Sequence, residues 1–141
     1  MTITSVSPVI LTRTRAHLAV DAGFARGTEL GAAFTIAVLD GAGNLVAHVR
    51  EDGAALASIG TSAAKALTAV HFAQPTAALQ GAVAPGAALF GLGSAQATYA
   101  FVAGGVPIVD PHGVVIGAVG AGGGTPDQDR EVAEAAAAAL A

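Results

Sequence analysis

The spacing of apolar and polar positions along the chain predicts its helices and strands. Apolar residues recur at helical spacing over 11–28, which predicts a first helix. The runs 33–40 and 45–51 are apolar and β-branched and are separated by a Gly-rich turn, which predicts a β-hairpin. A second helix is expected from Ser58 until just before Pro75, because the residue preceding a proline disfavours helical backbone angles.

The second half of the chain predicts three more strands and a last helix. The apolar runs 98–102, 106–110 and 114–121 are separated by turn residues, and Thr125 is expected to cap the last helix. The resulting order is α-β-β-α-β-β-β-α. We therefore expect a single α+β domain over 1–141, with a five-stranded antiparallel sheet flanked by helices, as in profilin-like folds.

Two predicted turns share one pattern, VLDGAGNLV and IVDPHGVVI. Asp40 and Asp110 occupy equivalent positions in it, and their carboxylates are expected to accept hydrogen bonds from turn amides. Gly43 and Gly113 follow at the positions where a positive φ is needed. The pattern therefore predicts two similar hairpin turns rather than a pair of catalytic acids.

Small residues dominate the composition, with 36 Ala and 19 Gly among 141 residues. Few large apolar side chains are left for the core, so helices and sheet must approach closely. Only 11% of the residues are charged, which leaves little polar surface to cover a monomer. We expect burial in a homo-oligomer.

Charge and cysteine content exclude several functions. The net charge is −4 and the four basic residues after position 25 are scattered and form no patch, which argues against nucleic-acid binding. No cysteine is present, so thiolate metal ligands and cysteine nucleophiles are excluded. Neither a membrane span nor a signal peptide is apparent, and we expect a cytoplasmic protein that does not enter a membrane.

Polar side chains gather after the hairpin and along the second helix. They are Arg50, Asp52, Ser58, Thr61, Lys65 and Thr68. In a chain with so few charges, a lysine on an Ala-rich helix facing the strand of Arg50 indicates an anion site or an acid–base role. A structural ion pair of Asp52 with Lys65 or with Arg50 is the alternative.

Two histidines have neighbours that suggest chemistry. His17 precedes Asp21 by four residues, a spacing at which a carboxylate can orient an imidazole that binds metal or haem; a solvated helix pair is the alternative. His71 follows Thr68 by three residues near the end of the second helix, where an imidazolium interacts favourably with the helix dipole.

Three segments resemble the GlcG/HbpS family over nearly the whole chain. They are AVLDGAGNLVAHVREDGAALASIGTSAAKALTAV, the QPT of 74–76, and GGVPIVDPHGVVIGAVGAGGGTPDQDREVAEAA. The resemblance implies an α+β domain that forms dimers and higher oligomers. Several members bind haem, including secreted HbpS proteins and the C-terminal domain of PduO-type proteins.

The resemblance also implies candidate iron ligands. In the haem-binding secreted branch a threonine of a Pro-Thr pair approaches the iron, which corresponds to Pro75 and Thr76 here. In PduO-like domains a histidine of the first helix does so, and His17 is its nearest counterpart. Imidazole is a better iron ligand than a neutral hydroxyl, so His17 and His71 are stronger candidates than Thr76.

Two hypotheses from different classes follow. In the first, haem or a related tetrapyrrole lies in an apolar groove beside the second helix, near Thr61 and Thr68, with Arg50 or Lys65 on its propionates. In the second, a cofactor-free isomerase, lyase or hydratase acts on a small anionic metabolite through Arg50, Asp52 and Lys65. A purely structural or interaction role is the third alternative.

Overall fold

The computed structural model describes residues 11–95 and 98–141, and it contains one antiparallel sheet with helices on both faces. The elements are α1 (Arg13–Leu30), β1 (Thr35–Asp40), β2 (Leu45–Arg50), α2 (Ala57–Phe72), α3 (Thr76–Leu79), a 3-10 turn (Gly81–Val83), α4 (Leu92–Ala95), β3 (Gly105–Val109), β4 (Val115–Gly122) and α5 (Pro126–Ala138). Among the described residues, no helix combines the length and hydropathy needed to cross a bilayer.

The sheet has four strands, in the order β2-β1-β4-β3, and every neighbouring pair is antiparallel. The α+β class is confirmed, but the expected five-stranded sheet is wrong. The run 98–102, predicted as a strand, pairs with no strand of this sheet.

The backbone of 98–102 is satisfied by side chains instead of a strand ladder. The amide of Ala100 donates to the hydroxyl of Thr68 at 2.9 Å, and the carbonyl of Val102 accepts from the hydroxyl of Thr76 at 2.7 Å. Buried backbone groups need a partner, and these hydroxyls provide one. The segment 98–102, although rich in residues typical of strands, therefore forms a connection that passes over α2 and α3.

The two faces of the sheet have separate cores. Along β1, Ile36 and Val38 point to α1 and α5, whereas Ala37 and Leu39 point to α2. This alternation follows from the two-residue period of a strand whose two faces are both covered.

Glycines allow α2 to lie unusually close to β4 and β3. A Cβ at Gly120 would overlap the backbone oxygen of Ser62, and a Cβ at Gly105 would overlap that of Lys65. The close helix-on-sheet packing expected from the composition is therefore confirmed at these positions.

Both predicted hairpin turns are confirmed. Oδ1 of Asp40 accepts from the amides of residues 42 and 44, and Oδ1 of Asp110 accepts from those of residues 112 and 114, at 2.8–3.0 Å. Gly43 and Gly113 have φ of 83° and 81°. These local contacts set the register of β1 with β2 and of β3 with β4.

Candidate functional site

The chain's only lysine, Lys65, is buried on α2 against a carboxylate of α5. Its ammonium lies 2.7 Å from Oδ2 of Asp129 and donates a second hydrogen bond to the backbone oxygen of Ala121 at 3.1 Å. Oδ1 of Asp129 accepts from the amide of Gly124 at 2.9 Å. Lys65 and Asp129 are 5% and 4% exposed, so the two charges neutralise each other where solvent barely reaches.

A cavity of about 310 Å³ lies over this pair, and we call it the Lys65 cavity. Its polar wall contains Lys65 and Asp129 together with Ser58 and Thr61. The rest of the lining consists of small residues: Ala55, Ala57, Ala100, Val102, Gly123 and Gly124. Thr61 is exposed, so one hydroxyl stands where the cavity meets solvent.

The structure does not join Arg50 and Asp52 to Lys65. The guanidinium of Arg50 donates to the backbone oxygen of Ala54 at 3.2 Å, and its side chain is exposed. Asp52 is exposed and, within the described residues, forms no ion pair with Arg50 or Lys65. The partner of the lysine is Asp129, which comes from the other end of the chain.

The three candidate threonines have different surroundings. Thr61 lines the Lys65 cavity. Thr68 is buried, donates to the backbone oxygen of Ala64 at 2.7 Å and accepts from the amide of Ala100. Thr76 is also buried, and its hydroxyl bridges the carbonyl of Val102 and the amide of Gly105 at 2.7 and 2.9 Å. Thr68 and Thr76 thus hold the connection between α4 and β3 against the helices.

His71 belongs to an aromatic cluster at the end of α2. Its Nδ1 lies 2.8 Å from the hydroxyl of Tyr99, and the rings of Phe72, Tyr99 and Phe101 pack edge to face at centroid distances of 5.2–6.0 Å. Its Nε2 lies beside the turn at Gly43. One ring nitrogen of His71 is therefore already engaged.

His17 lies on the exposed side of α1, in an open groove of about 400 Å³ lined by Arg13, Thr14, Leu18 and Asp21. The described residues that line the groove all belong to α1 and follow each other at helical spacing. Leu18 is 55% exposed. Within the described part of the chain, neither His17 nor Arg13 takes part in an ion pair.

Sequence reasoning missed Asp129, which lies in the last helix and was not among the candidate site residues. One signal was available, because a buried lysine requires an anionic partner and acidic residues stand near the start of α5, directly after a Gly-rich turn. Among the residues that the structure describes, no three His, Asp or Glu side chains cluster as metal ligands would.

Comparisons with known proteins agree on one family. Residues 11–138 match the family model described as "Haem degrading protein HbpS-like". An uncharacterized 15.0 kDa protein of Citrobacter freundii, from the dhaT-dhaS intergenic region, is 40% identical over 113 residues, or 79% of each chain. The corrinoid adenosyltransferase PduO of the same organism is 35% identical over 88% of this chain, which spans only 37% of PduO.

The fold is also closely similar to that of a solved structure. The crystal structure of a PduOC:heme complex superposes with a TM-score of 0.87 at 32% identity, covering 94% of this chain and 96% of the other. The family match and the 40% identical relative each span most of the chain. This chain therefore belongs to the HbpS-like family.

Proposed function

We propose that this protein binds haem in the groove on α1, where the imidazole of His17 would hold the iron. The observation that carries the proposal is the position of His17 on an exposed helix face, between a basic and an apolar side chain of the same groove. Histidine is the commonest protein ligand of haem iron, and it binds through a neutral imidazole nitrogen.

The neighbours of His17 fit the other parts of a haem. Arg13 precedes it by one turn and can form paired hydrogen bonds with a propionate carboxylate. Leu18 offers an exposed apolar surface to the macrocycle. Asp21 lies one turn further on, where its carboxylate can accept from the second ring nitrogen of His17 and fix the tautomer.

The other candidates fit less well because their polar groups are already used. The hydroxyl of Thr76 is buried and hydrogen-bonded to the backbone on both sides. Nδ1 of His71 is engaged by Tyr99, and the charge of Lys65 is neutralised by Asp129. These contacts favour the α1 groove over a groove beside α2 as the place for haem.

The resemblance to the PduOC:heme complex and the family description support a haem ligand. When bound, haem supplies an iron centre for ligand binding and electron transfer. The chain's own contribution is to orient that iron through His17, to hold a propionate through Arg13 and to cover part of one ring face with Leu18. Because the groove on α1 is open, we expect a second copy of the chain to cover bound haem in a homo-oligomer.

A haemin titration of the purified protein tests the proposal. We expect a saturable Soret band that His17→Ala removes. Arg13→Ala should weaken binding about tenfold, as expected for a lost charge-assisted hydrogen bond of about 1.5 kcal/mol. His112→Ala is the matched control, because His112 is exposed at the β3–β4 turn and belongs to neither groove nor cavity. An unchanged Soret band in His17→Ala would refute the assignment.

A further inference from the structure

The Lys65 cavity has the features of a second binding site, independent of haem. We infer that it binds a small neutral compound through a carbonyl oxygen, which accepts a hydrogen bond from Lys65. Among the residues that the structure describes, the cavity and the α1 groove share no lining residue. The inference therefore does not depend on the proposed haem function.

Lys65 has a hydrogen bond to spare for a ligand. An ammonium group carries three N–H donors. Within the described residues, Asp129 and the backbone oxygen of Ala121 accept two of them. Since Lys65 also lines the cavity, its third N–H is available to an acceptor placed there.

The charge of the site selects the class of ligand. Asp129 already neutralises Lys65 at 2.7 Å, so a ligand carboxylate would add an uncompensated negative charge beside Asp129. The lining beside the pair is mostly methyl groups, which stabilise an extra charge poorly, and the amide of Gly124 already donates to Asp129. A ketone, aldehyde or amide oxygen accepts the free N–H without that penalty. The exposed hydroxyl of Thr61 offers a second polar contact at the mouth.

The size of the cavity favours a compact ligand. Small-molecule sites usually span roughly 300–1,000 Å³, and about 310 Å³ is at the lower end of that range. The methyl groups of Ala57, Ala100 and Val102 favour a short apolar chain attached to the carbonyl.

The sequence keeps the ion pair free of neighbouring side chains. Gly104 has a φ of 126°, and a Cβ there would lie 2.9 Å from the Lys65 ammonium and 2.9 Å from Cβ of Asp129. A buried ion pair contributes little net stability compared with apolar residues of the same volume. That the chain's only lysine is placed in such a pair, on the wall of a cavity, supports a role in binding.

Isobutyramide and isobutyrate are suitable probes, because they have the same shape and differ in charge. Each is titrated into the ¹⁵N-labelled full chain at pH 7, and the amide resonances of Ala100, Gly123 and Gly124 are followed. We expect saturable shifts with isobutyramide and at least tenfold weaker binding of isobutyrate. Equal binding of both probes, preference for isobutyrate, or no saturable shift with either would overturn the inference.

Variants separate a ligand site from a structural ion pair. Asp129→Asn leaves the Lys65 charge uncompensated, so the preference should reverse towards isobutyrate, which a merely structural pair does not predict. If Asp129→Asn does not fold, Ala57→Leu provides the test. It places a larger side chain at an exposed position of the cavity lining, and it should weaken isobutyramide binding at least tenfold. Ala138→Leu, the same change at an exposed position of α5 outside the cavity, should have no effect. Equal affinities in these two leucine variants would contradict the inference.

Discussion

The ammonium of Lys65 lies 2.7 Å from the carboxylate of Asp129, and this ion pair joins α2 to α5 across the end of β4. The two residues are 64 positions apart in the chain. Both are almost completely buried, so each charge depends mainly on the other for compensation. This relationship determines what the Lys65 cavity can bind and makes each residue depend on the other.

Replacing one member of the pair should therefore lower the free energy of unfolding more than replacing both members. Lys65→Met or Asp129→Leu alone leaves an unpaired buried charge, and we expect each to lower the free energy of unfolding by about 3–5 kcal/mol. The double variant leaves no charge and should lie within about 1 kcal/mol of the original chain. Urea unfolding of the four proteins measures the coupling energy. Additive losses in the double variant would show that the pair is not coupled.

The sequence predicted the parts of the fold that depend on near neighbours. The turns at Asp40 and Asp110 follow from contacts within four residues, and both were predicted correctly. The strand predicted over 98–102 was wrong because its backbone partners are hydroxyls of Thr68 and Thr76, which no local pattern reveals. The pairing of Lys65 with Asp129 was missed for the same reason.

The candidate site likewise combines features that the sequence predicts with features that it does not predict. That Lys65 matters could be inferred from the scarcity of charge, and that His17 stands on a helix face could be inferred from spacing. That Asp129 rather than Asp52 is the partner of Lys65 could not be inferred, since it depends on how closely α2 approaches β4. Close approach is a property of the packed layers rather than of any one segment.

Glycine at position 120 should be essential for that approach. Gly120→Ala places a methyl group against the backbone of Ser62 and Ala66 on α2, and we expect a loss of at least about 3 kcal/mol in unfolding free energy. Gly60→Ala is the matched control on the same helix, because a Cβ there meets nothing within 4 Å. The free energy of unfolding of this control should rise by about 0.5–1 kcal/mol, because alanine has a higher helix propensity than glycine. Similar losses in both variants, measured by urea unfolding, would contradict the packing described.

The hydroxyl of Thr76 should protect the amide at the start of β3 from hydrogen exchange rather than bind iron. Thr76→Val keeps the shape but leaves the amide of Gly105 and the carbonyl of Val102 without their partner, at a cost of about 1–3 kcal/mol. We expect faster hydrogen exchange of the Gly105 amide and an unchanged Soret band with haemin. Thr76→Ser retains the hydroxyl and should retain the protection. Loss of the Soret band in a folded Thr76→Val protein would instead make Thr76 the iron ligand.

The turn carboxylate of Asp110 should make stability depend on pH in acid. The hydrogen bond from the amide of Val114 is the largest effect that holds the pKa of Asp110 below its ordinary value of 3.8. Desolvation opposes it, and the amide and the charge of His112 lower the pKa by smaller amounts. A folded-state pKa below the unfolded value means that the ionised carboxylate stabilises the fold above pH 3.8. That contribution is lost as the pH falls through the folded-state pKa.

Asp110→Asn should therefore lower the thermal midpoint at pH 7, and the difference from the original chain should narrow as the pH falls through the folded-state pKa of Asp110, below 3.8. Asp52→Asn removes the same charge from an exposed position and is the control for the loss of one negative charge at pH 7. An NMR titration of the Asp110 carboxyl group provides the direct measurement. A value at or above 3.8 would mean that the two amides do not hold the ionised form, and the acid dependence would then need another carboxylate.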